Sequence, residues 1–257
     1  EETSFQNSIN LSIIDDDLQK IIGAELKQKG CNLHTILHGG NCSEIAYNSQ
    51  YKIDDVLSTK FLNLEIRYKP KNKIFKKGIV IYLEARNCQN TFLFGAETYE
   101  DYSKSMSDLL DLLNVLDKSI KSKIIIMRHF DNHKINLFEL RFHLKKNQKY
   151  KFNSIKKSIY RKIFKPKLQI TTYTGSVFLE SIYADIPCVI YLNPHRYELS
   201  DEMKSLLEIF KSSRIMHTNY KSLSIFLNET KNFYKWWHEP LTLEAINKFK
   251  KSMKKYF

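Results

Sequence analysis

The stretch from Leu168 to Leu192, LQITTYTGSVFLESIYADIPCVIYL, constrains the fold more than any other part of the chain. Residues 168–173 and 188–192 read as strands with almost no polar interruption, and residues 177–184 read as a short helix between them. Asp185-Ile186-Pro187 ends that helix. Continuous apolar strands that flank a helix are typical of a βαβ unit in a buried parallel sheet. The chain is therefore expected to have an α/β fold.

The break before this helix, Thr174-Gly175-Ser176, is the first candidate ligand site. Ser176 stands at the N-cap position, and Glu180 follows one helical turn later on the same face. A helix N-terminus preceded by glycine leaves backbone N–H groups free to hold an anion, most often a phosphate. The alternative is a capped helix without a ligand, because capping signals are common.

A second candidate site follows the strand predicted at residues 33–37, which runs into His38-Gly39-Gly40-Asn41. Parallel sheets bind ligands at the carboxyl ends of their strands. The two glycines allow a close approach of backbone to ligand, and the histidine can donate to a phosphate or act as an acid or base near neutral pH. Glu44 follows on the same loop. The alternative is a tight turn that begins with histidine.

The rest of the chain alternates strand and helix patterns. Further strands are predicted at 10–14, 61–68, 78–85, 122–127 and 215–217, and helices at 18–29, 100–116, 154–164, 201–211, 220 onward and 241–256. Gly30 ends the first helix. The helix at 100–116 carries an apolar stripe that is expected to be core: Met106, Leu109, Leu110, Leu113 and Leu116. Arg128 ends a strand as a cation at the ligand edge, or alternatively forms a surface salt bridge.

The chain is strongly basic, with a formal net charge of +13, which favours anionic partners such as nucleotides, nucleic acid or an acidic membrane surface. Lys69–Lys77 (KPKNKIFKK) is the best candidate linker. The basic run at 145–167 interleaves aromatic residues, which could bind single-stranded nucleic acid. Its isoleucines recur at helical spacing, however, and favour an ordinary amphipathic helix with a lysine-rich outer face. Nucleic acid is therefore the less expected partner.

The cysteine pattern indicates a reducing compartment, and the hydropathy pattern predicts no membrane span. The four cysteines form no CxxC pair, so neither a zinc site nor a disulfide framework is predicted. Cys188 is expected to be a small buried hydrophobe. No apolar run approaches the roughly 20 residues of a membrane span, and no signal peptide is recognised. We expect a cytoplasmic location, with peripheral contact at the inner face of the membrane through the basic surface as an alternative.

Three segments together carry a resemblance to a known family: HGGN at 38–41, TYTGSVFLESIYADIPCVIYLNPHRYELSDE at 172–202, and Trp236-Trp237. They resemble bacterial surface-carbohydrate transferases, which are similar to GT-B glycosyltransferases and to the Kdo transferases of capsule and lipopolysaccharide assembly. The tryptophan pair is expected to pack the C-terminal helix onto the sheet, with ligand stacking as the alternative.

The resemblance implies a GT-B-like α/β fold with Rossmann-type parallel sheets and flanking helices. A complete nucleotide-sugar-binding domain would occupy 78–257, and a partial or reduced acceptor-side region would occupy 1–68. It also implies a glycosyltransferase with a nucleotide-activated sugar donor, CMP-linked in the first instance, and a glycan or lipid-linked acceptor. No cofactor and no obligatory metal are implied.

The resemblance also implies roles for individual positions. Thr174, Gly175, Ser176 and Glu180 would lie at the donor nucleotide, and Arg128 would face its phosphates. His38 would be the catalytic acid or base, or an acceptor-side contact. The remaining cleft and substrate residues would be Gly39, Gly40, Asn41, Glu44, Asn193, Tyr197 and Glu198. Three alternatives stay open: a non-catalytic nucleotide- or carbohydrate-binding subunit, polyol-phosphate transfer from a cytidine nucleotide, and nucleic-acid binding.

Overall fold

The structure, a computed structural model, describes residues 8–12, 17–36, 60–62, 77–83, 99–128, 151–154, 166–172, 176–191 and 201–253. The strands in these ranges are β1 (Ser8–Ser12), β2 (Asn32–Ile36), β3 (Lys60–Leu62), β4 (Lys77–Leu83), β5 (Ile124–Arg128), β6 (Lys151–Ser154), β7 (Pro166–Thr171), β8 (Cys188–Tyr191) and β9 (Met216–His217). The helices are α1 (Asp17–Gln28), α2 (Tyr99–Val115), α3 (Lys118–Lys121), α4 (Ser176–Tyr183), α5 (Asp201–Ser212), α6 (Tyr220–Glu229), α7 (Phe233–Trp237) and α8 (Pro240–Ser252).

The described strands form two parallel sheets. The first sheet has the order β1-β2-β3, and the second has the order β6-β5-β4-β7-β8-β9. All of their strand pairs are parallel. Counted along the chain, the second sheet has the strand order 3-2-1-4-5-6, which is the order of the Rossmann fold. The strand order therefore reverses between β4 and β7, and the predicted parallel α/β architecture is confirmed.

Hydrogen bonds place helices on both faces of the six-stranded sheet. Successive strand residues point to opposite faces, so the register puts Tyr191 on the same face as Ile170 and opposite to Gln169. The Tyr191 hydroxyl donates to Asp108 Oδ2 of α2 at 2.9 Å. On the other face, Ser181 Oγ of α4 lies 3.3 Å from Gln169 Oε1. Hence α2 and α4 cover opposite faces.

Three further helices complete the two layers. His217 is aligned with Tyr191, and its Nδ1 lies 2.6 Å from Ser222 Oγ of α6, so α6 shares the face of α2. α5 and α8 pack with α4 through a cluster of aromatic rings whose centroids lie 5.6 to 6.0 Å apart, namely Phe178, Phe210 and Phe249. The predicted core stripe of α2 is confirmed at Leu109, Leu113 and Leu116, which are buried together with Leu112. Leu110 is partly buried against the same core, and the side chain of Met106 lies outside the described part of the structure.

The two tryptophans anchor α7 at the amino ends of the strands. Both are almost fully buried, at 2% and 0% exposure. Trp236 Nε1 donates to the Ser213 carbonyl oxygen at 3.0 Å, and Trp237 Nε1 donates to Asp185 Oδ1 at 3.0 Å. Ser213 and Asp185 lie in the turns that lead into β9 and β8. The predicted packing role of the pair is confirmed, at the edge of the sheet opposite to the expected ligand edge.

Some predicted boundaries are wrong. Ser154, predicted to begin a helix, is the last residue of β6, and residues 155–165 lie outside the described part of the chain. β6 is a four-residue edge strand with lysine, asparagine and serine, which have weak strand preference. Lys77, predicted as linker, begins β4; boundary shifts of one or two residues are ordinary. The division of the chain at 69–77 otherwise stays a prediction, because residues 63–76 lie outside the described ranges.

Candidate functional site

The carboxyl edge of the six-stranded sheet contains the point at which the strand order reverses. β4 ends at Leu83 and β7 ends at Thr171, and the register aligns Tyr82 with Thr171 across them. The helices that follow these two strands, α2 and α4, lie on opposite faces. In an open α/β sheet this divergence opens a crevice outside the carboxyl ends of the strands, where ligands bind.

Ser176 lies at this edge, but not at the position that the sequence predicted. It is the first residue of α4 and therefore follows the N-cap instead of occupying it. The prediction was one residue off, because the small polar residues 174–176 give no sharp boundary. The backbone N–H of a first helical residue has no acceptor within the helix. Ser176 thus still contributes an N–H group to the helix terminus, whose partial positive charge favours anions.

The first two turns of α4 are fixed to the sheet by apolar packing and by a hydroxyl group. Val177 packs against a small buried cluster from β4 and β5, formed by Val80, Tyr82, Ile125 and Met127. One turn later, Ser181 Oγ donates to the Val177 carbonyl oxygen at 2.7 Å and lies beside the buried Gln169 of β7. These contacts hold the N-terminal end of α4 over the two central strands.

The other end of α4 closes in a Schellman motif. Asp185 has a positive φ of 56°, where glycine is the usual residue. Its N–H donates to the Ile182 carbonyl oxygen at 3.3 Å, and the Ile186 N–H donates to the Ser181 carbonyl oxygen at 2.9 Å. The Asp185 carboxylate then accepts from Trp237. α4 is therefore fixed at both ends, which suits a helix that presents its N-terminus to a ligand.

Arg128 and Glu180 are the other predicted site residues in the described part of the chain. Arg128 is the last residue of β5, aligned with Leu83 of β4 and Ser154 of β6, so its backbone lies at the same carboxyl edge as the start of α4. Glu180 lies one turn into α4 and is half-buried. The structure thus brings Arg128, Ser176 and Glu180 to one end of one sheet. Their roles stay predictions.

The remaining predicted site residues lie outside the described ranges. They are His38, Gly39, Gly40, Asn41, Glu44, Thr174, Gly175, Asn193, Tyr197 and Glu198. His38 comes two residues after the end of β2, and Asn193 two residues after the end of β8. Their assignment to the cleft therefore rests on the sequence alone and stays a prediction.

Sequence reasoning missed one polar contact at the carboxyl edge. Tyr191 ends β8, and its hydroxyl donates to the half-buried Asp108 of α2 at 2.9 Å. The bond ties the helix on one face to the strand beside β7. A signal was present, because Asp108 stands directly before the buried leucines of an amphipathic helix. Such an acid needs a hydrogen-bond partner.

Two buried titratable groups have shifted pKa values, and neither is a predicted site residue. Burial lowers the pKa of His217 to about 4, the backbone carbonyl of Arg214 opposes this shift, and the Arg214 charge adds to it. His217 is therefore neutral at pH 7. Burial also raises the pKa of the Cys188 thiol, and the charge of Lys250 opposes that shift. The thiol stays protonated, as expected for the small buried hydrophobe that the sequence predicted.

Within the described ranges, no three side chains of the His, Cys, Asp and Glu types come close enough to hold a metal ion together. In the same part of the chain, none of the helices combines the length and the apolar character that crossing a bilayer requires.

A Rossmann-ordered sheet with a helix N-terminus at its switch point is a common architecture for binding phosphorylated ligands, though the fold alone does not specify an activity. The model of the LIC12162 family transferases matches residues 6–255, so this chain belongs to that transferase family. The prediction of an enzyme of the transferase class is therefore confirmed. No curated protein matches the chain.

Several solved structures are similar to this chain at low sequence identity. One is a protein from Listeria monocytogenes assigned as a UDP-N-acetylglucosamine 2-epimerase, with 9% identity and a TM-score of 0.50 over 96% of this chain and 74% of that one. This likeness supports the predicted GT-B-like fold class. The spinosyn rhamnosyltransferase SpnG matches over 96% of this chain and 69% of its own, alone (9% identity, TM-score 0.46) and with spinosyn aglycone (10%, 0.47). These two likenesses are too weak for any inference.

Proposed function

We propose that this transferase moves a sugar from a nucleotide-activated donor to a glycan acceptor of the bacterial cell surface. The observation that carries the proposal is the position of the α4 N-terminus at the β4–β7 switch point, where α/β sheets bind nucleotides. Membership of a transferase family supplies the reaction class. The resemblance of residues 172–202 to surface-carbohydrate transferases supplies the donor and acceptor classes.

Charge stabilisation of the leaving group is the proposed source of catalysis. Cleavage of the donor's glycosyl bond puts negative charge on a phosphate oxygen of the nucleotide. The N–H groups of the first turn of α4 and the guanidinium of Arg128 would stabilise that charge. Glu180 would accept a hydrogen bond from a ribose hydroxyl or a base amine. No metal is required for this arrangement, because the helix terminus and the cation act directly on the phosphate.

His38 is the proposed acid or base, or a contact on the acceptor side. In the sequence it comes two residues after the end of β2, the middle strand of the three-stranded sheet. A histidine suits proton transfer near neutral pH. The glycan or lipid-linked acceptor would bind on this side, with the cleft residues Gly39, Gly40, Asn41 and Glu44. The net charge of +13 supports peripheral contact with an anionic membrane surface.

A thermal-shift panel of CMP, CDP, UDP and GDP tests the donor class. A ligand that binds the folded state raises the melting temperature, by an amount that grows with ligand concentration over Kd. We expect CMP to give the largest shift. Arg128→Ala should reduce that shift, whereas His38→Ala should preserve it and lower turnover. Lys248→Ala is a suitable control, because it removes an exposed cation of α8 that pairs with Glu244 at 2.7 Å.

The second candidate is a non-catalytic binding subunit. It is favoured by the unequal sheets, since three described strands form the first sheet and six form the second. Under this alternative the nucleotide binds with the same dependence on Arg128, but no sugar is transferred to any acceptor. Transfer activity that is lost in His38→Ala would decide for the enzyme.

A further inference from the structure

The amino edge of the six-stranded sheet contains a cavity that the proposed donor site does not use. Its volume is about 690 Å³. The walls come from the start of β4, α3, the residues before β5, the start of β7 and the α6–α7 connection. This volume lies within the range of about 300–1,000 Å³ that is typical of small-ligand sites. The cavity lies at the edge of the sheet opposite to the N-terminus of α4.

Among the described residues that line the cavity, the charged ones are all lysines. They are Lys123, Lys167 and Lys231, which are exposed and come from three separate segments. No described residue in the lining is acidic, and in the described part of the chain none of the three lysines forms an ion pair. Lysines elsewhere do pair: Nζ atoms of Lys204 and Lys211 lie 2.9 and 2.6 Å from carboxylate oxygens. The described lining therefore carries three positive charges and no negative one.

Gly78 stands between two of these lysines in the sheet, where the backbone of the neighbouring strand comes close. Ile79 is aligned with Ile124 on one side and with Leu168 on the other, so Gly78 stands in a row between Lys123 and Lys167. Strand spacing puts the two lysine Cα atoms roughly 10 Å apart. A Cβ atom at position 78 would lie 2.2 Å from the Lys123 carbonyl oxygen, so this row admits no larger residue without movement.

Three neutral polar residues of the lining have hydrogen-bond donors that an anion could use. The side-chain oxygens of Asn228 and Asn232 accept from the backbone N–H groups of Asp117 at 3.2 Å and Lys235 at 3.0 Å. Because these oxygens already accept hydrogen bonds, the NH₂ groups of both amides are the donors that remain for a ligand. Thr230 also lines the cavity, and its buried Oγ1 has no hydrogen-bond partner among the residues that the structure describes. A buried hydroxyl without a partner is unfavourable unless a ligand or a water supplies one.

We propose that this cavity binds a phosphate group, as a phosphomonoester or a diphosphate. A phosphate presents acceptor oxygens and nearly two negative charges, and lysine ammonium groups bind it with charge-assisted hydrogen bonds. The phosphate belongs either to a free small molecule or to a lipid headgroup. The inference does not depend on the proposed donor site.

Calorimetric titration with inorganic pyrophosphate tests the proposal on the full chain. The triple variant Lys123→Gln, Lys167→Gln, Lys231→Gln should bind about tenfold more weakly, or worse, because three charge-assisted contacts are lost. The matched control Lys204→Gln, Lys211→Gln, Lys248→Gln lowers the net charge equally at paired, exposed lysines. It should stay within about twofold of the unmodified chain, because exposed ion pairs contribute little.

Binding to lipid vesicles distinguishes the two possible sources of the phosphate. If phosphatidylcholine vesicles that contain phosphatidic acid bind the chain, and both pyrophosphate and the cavity variant abolish that binding, the ligand is a headgroup. If pyrophosphate binds and these vesicles do not, the ligand is a free phosphorylated molecule. The proposal would be overturned if the chain did not bind pyrophosphate, or if the cavity variant and the control variant lost pyrophosphate affinity equally. A single-stranded oligonucleotide that binds through the three lysines more tightly than pyrophosphate does would also overturn it.

Discussion

At the scale of single residues, backbone geometry decides how much a substitution of each glycine should destabilise the fold. Gly78 lies against a backbone carbonyl in the sheet, whereas Gly30 ends α1 at a φ of 81° with open space around its Cβ position. The sequence predicted Gly30 as a helix terminator, because such residues follow an apolar periodic run. It gave no hint of the close approach at Gly78, because that contact is made with a residue distant in the sequence.

Gly78→Ala should destabilise the fold more than Gly30→Ala. At position 78 the new methyl group meets the Lys123 carbonyl oxygen, and overpacking of this kind costs about 1–3 kcal/mol beyond any propensity effect. At position 30 the cost is that of a left-handed alanine, about 1 kcal/mol. Urea unfolding at equilibrium measures both free energies. Equal losses in the two variants would show that the row at Gly78 is not tightly packed.

Buried His217 makes stability depend on pH. Its Nε2 lies 3.1 Å from the Arg214 carbonyl oxygen and its Nδ1 lies 2.6 Å from Ser222 Oγ, so the neutral ring donates to the first and accepts from the second. The folded pKa of about 4 lies below the unfolded value of 6.5, so the unfolded chain binds the proton more readily. Stability is complete above pH 6.5 and is lost as pH falls towards 4, by roughly 3 kcal/mol at most.

Replacement of the histidine tests this contribution. His217→Gln keeps a polar side chain at the same site but cannot titrate. Its unfolding free energy should fall less steeply than that of the unmodified chain between pH 6.5 and 4, as followed by urea unfolding at each pH. Parallel curves for the two proteins would contradict the assignment.

At the scale of secondary-structure elements, strongly periodic segments were predicted well and weakly patterned ones were not. α2, α4, β7 and β8 follow from their apolar patterns, and glycine or proline marks an end of α4, β7 and β8. β6 and the four-residue α3 were not predicted, because they are short and polar and depend on neighbouring elements. Periodicity predicts a helix without specifying the buried face: Leu18, Ile21 and Ile22 of α1 are 62%, 65% and 43% exposed.

α7 is the element whose anchor is easiest to test. Trp237→Ala removes a fully buried indole and its hydrogen bond to Asp185, and we expect a loss of about 3–5 kcal/mol in unfolding free energy. The control Tyr234→Ala alters a residue of the same short helix that is 38% exposed, and it should cost less than about 1 kcal/mol. Chemical denaturation of both variants gives the comparison. A mild effect of Trp237→Ala would mean that α7 is not an anchor.

At the scale of the whole molecule, the sheet separates two basic regions. The candidate donor site lies at the carboxyl edge with Arg128, and the lysine-lined cavity lies at the amino edge. The sequence predicted the first region, because strand ends and helix caps leave local signals. It could not predict the second, because Lys123 and Lys167 come together only through strand order and Lys231 only through the packing of the α6–α7 connection against the sheet. The family match adds the reaction class, which neither pattern nor geometry specifies.

The central claim is that backbone N–H groups at the start of α4 hold the nucleotide phosphate. Ser176→Pro tests it directly, because proline is tolerated at the first helical position and removes one N–H group without removing a charge. We expect calorimetric titration with CMP to show binding about fivefold to tenfold weaker than in the unmodified chain, while the melting temperature without ligand stays the same. Unchanged CMP affinity in a folded Ser176→Pro variant, or no CMP binding in either protein, would contradict the claim.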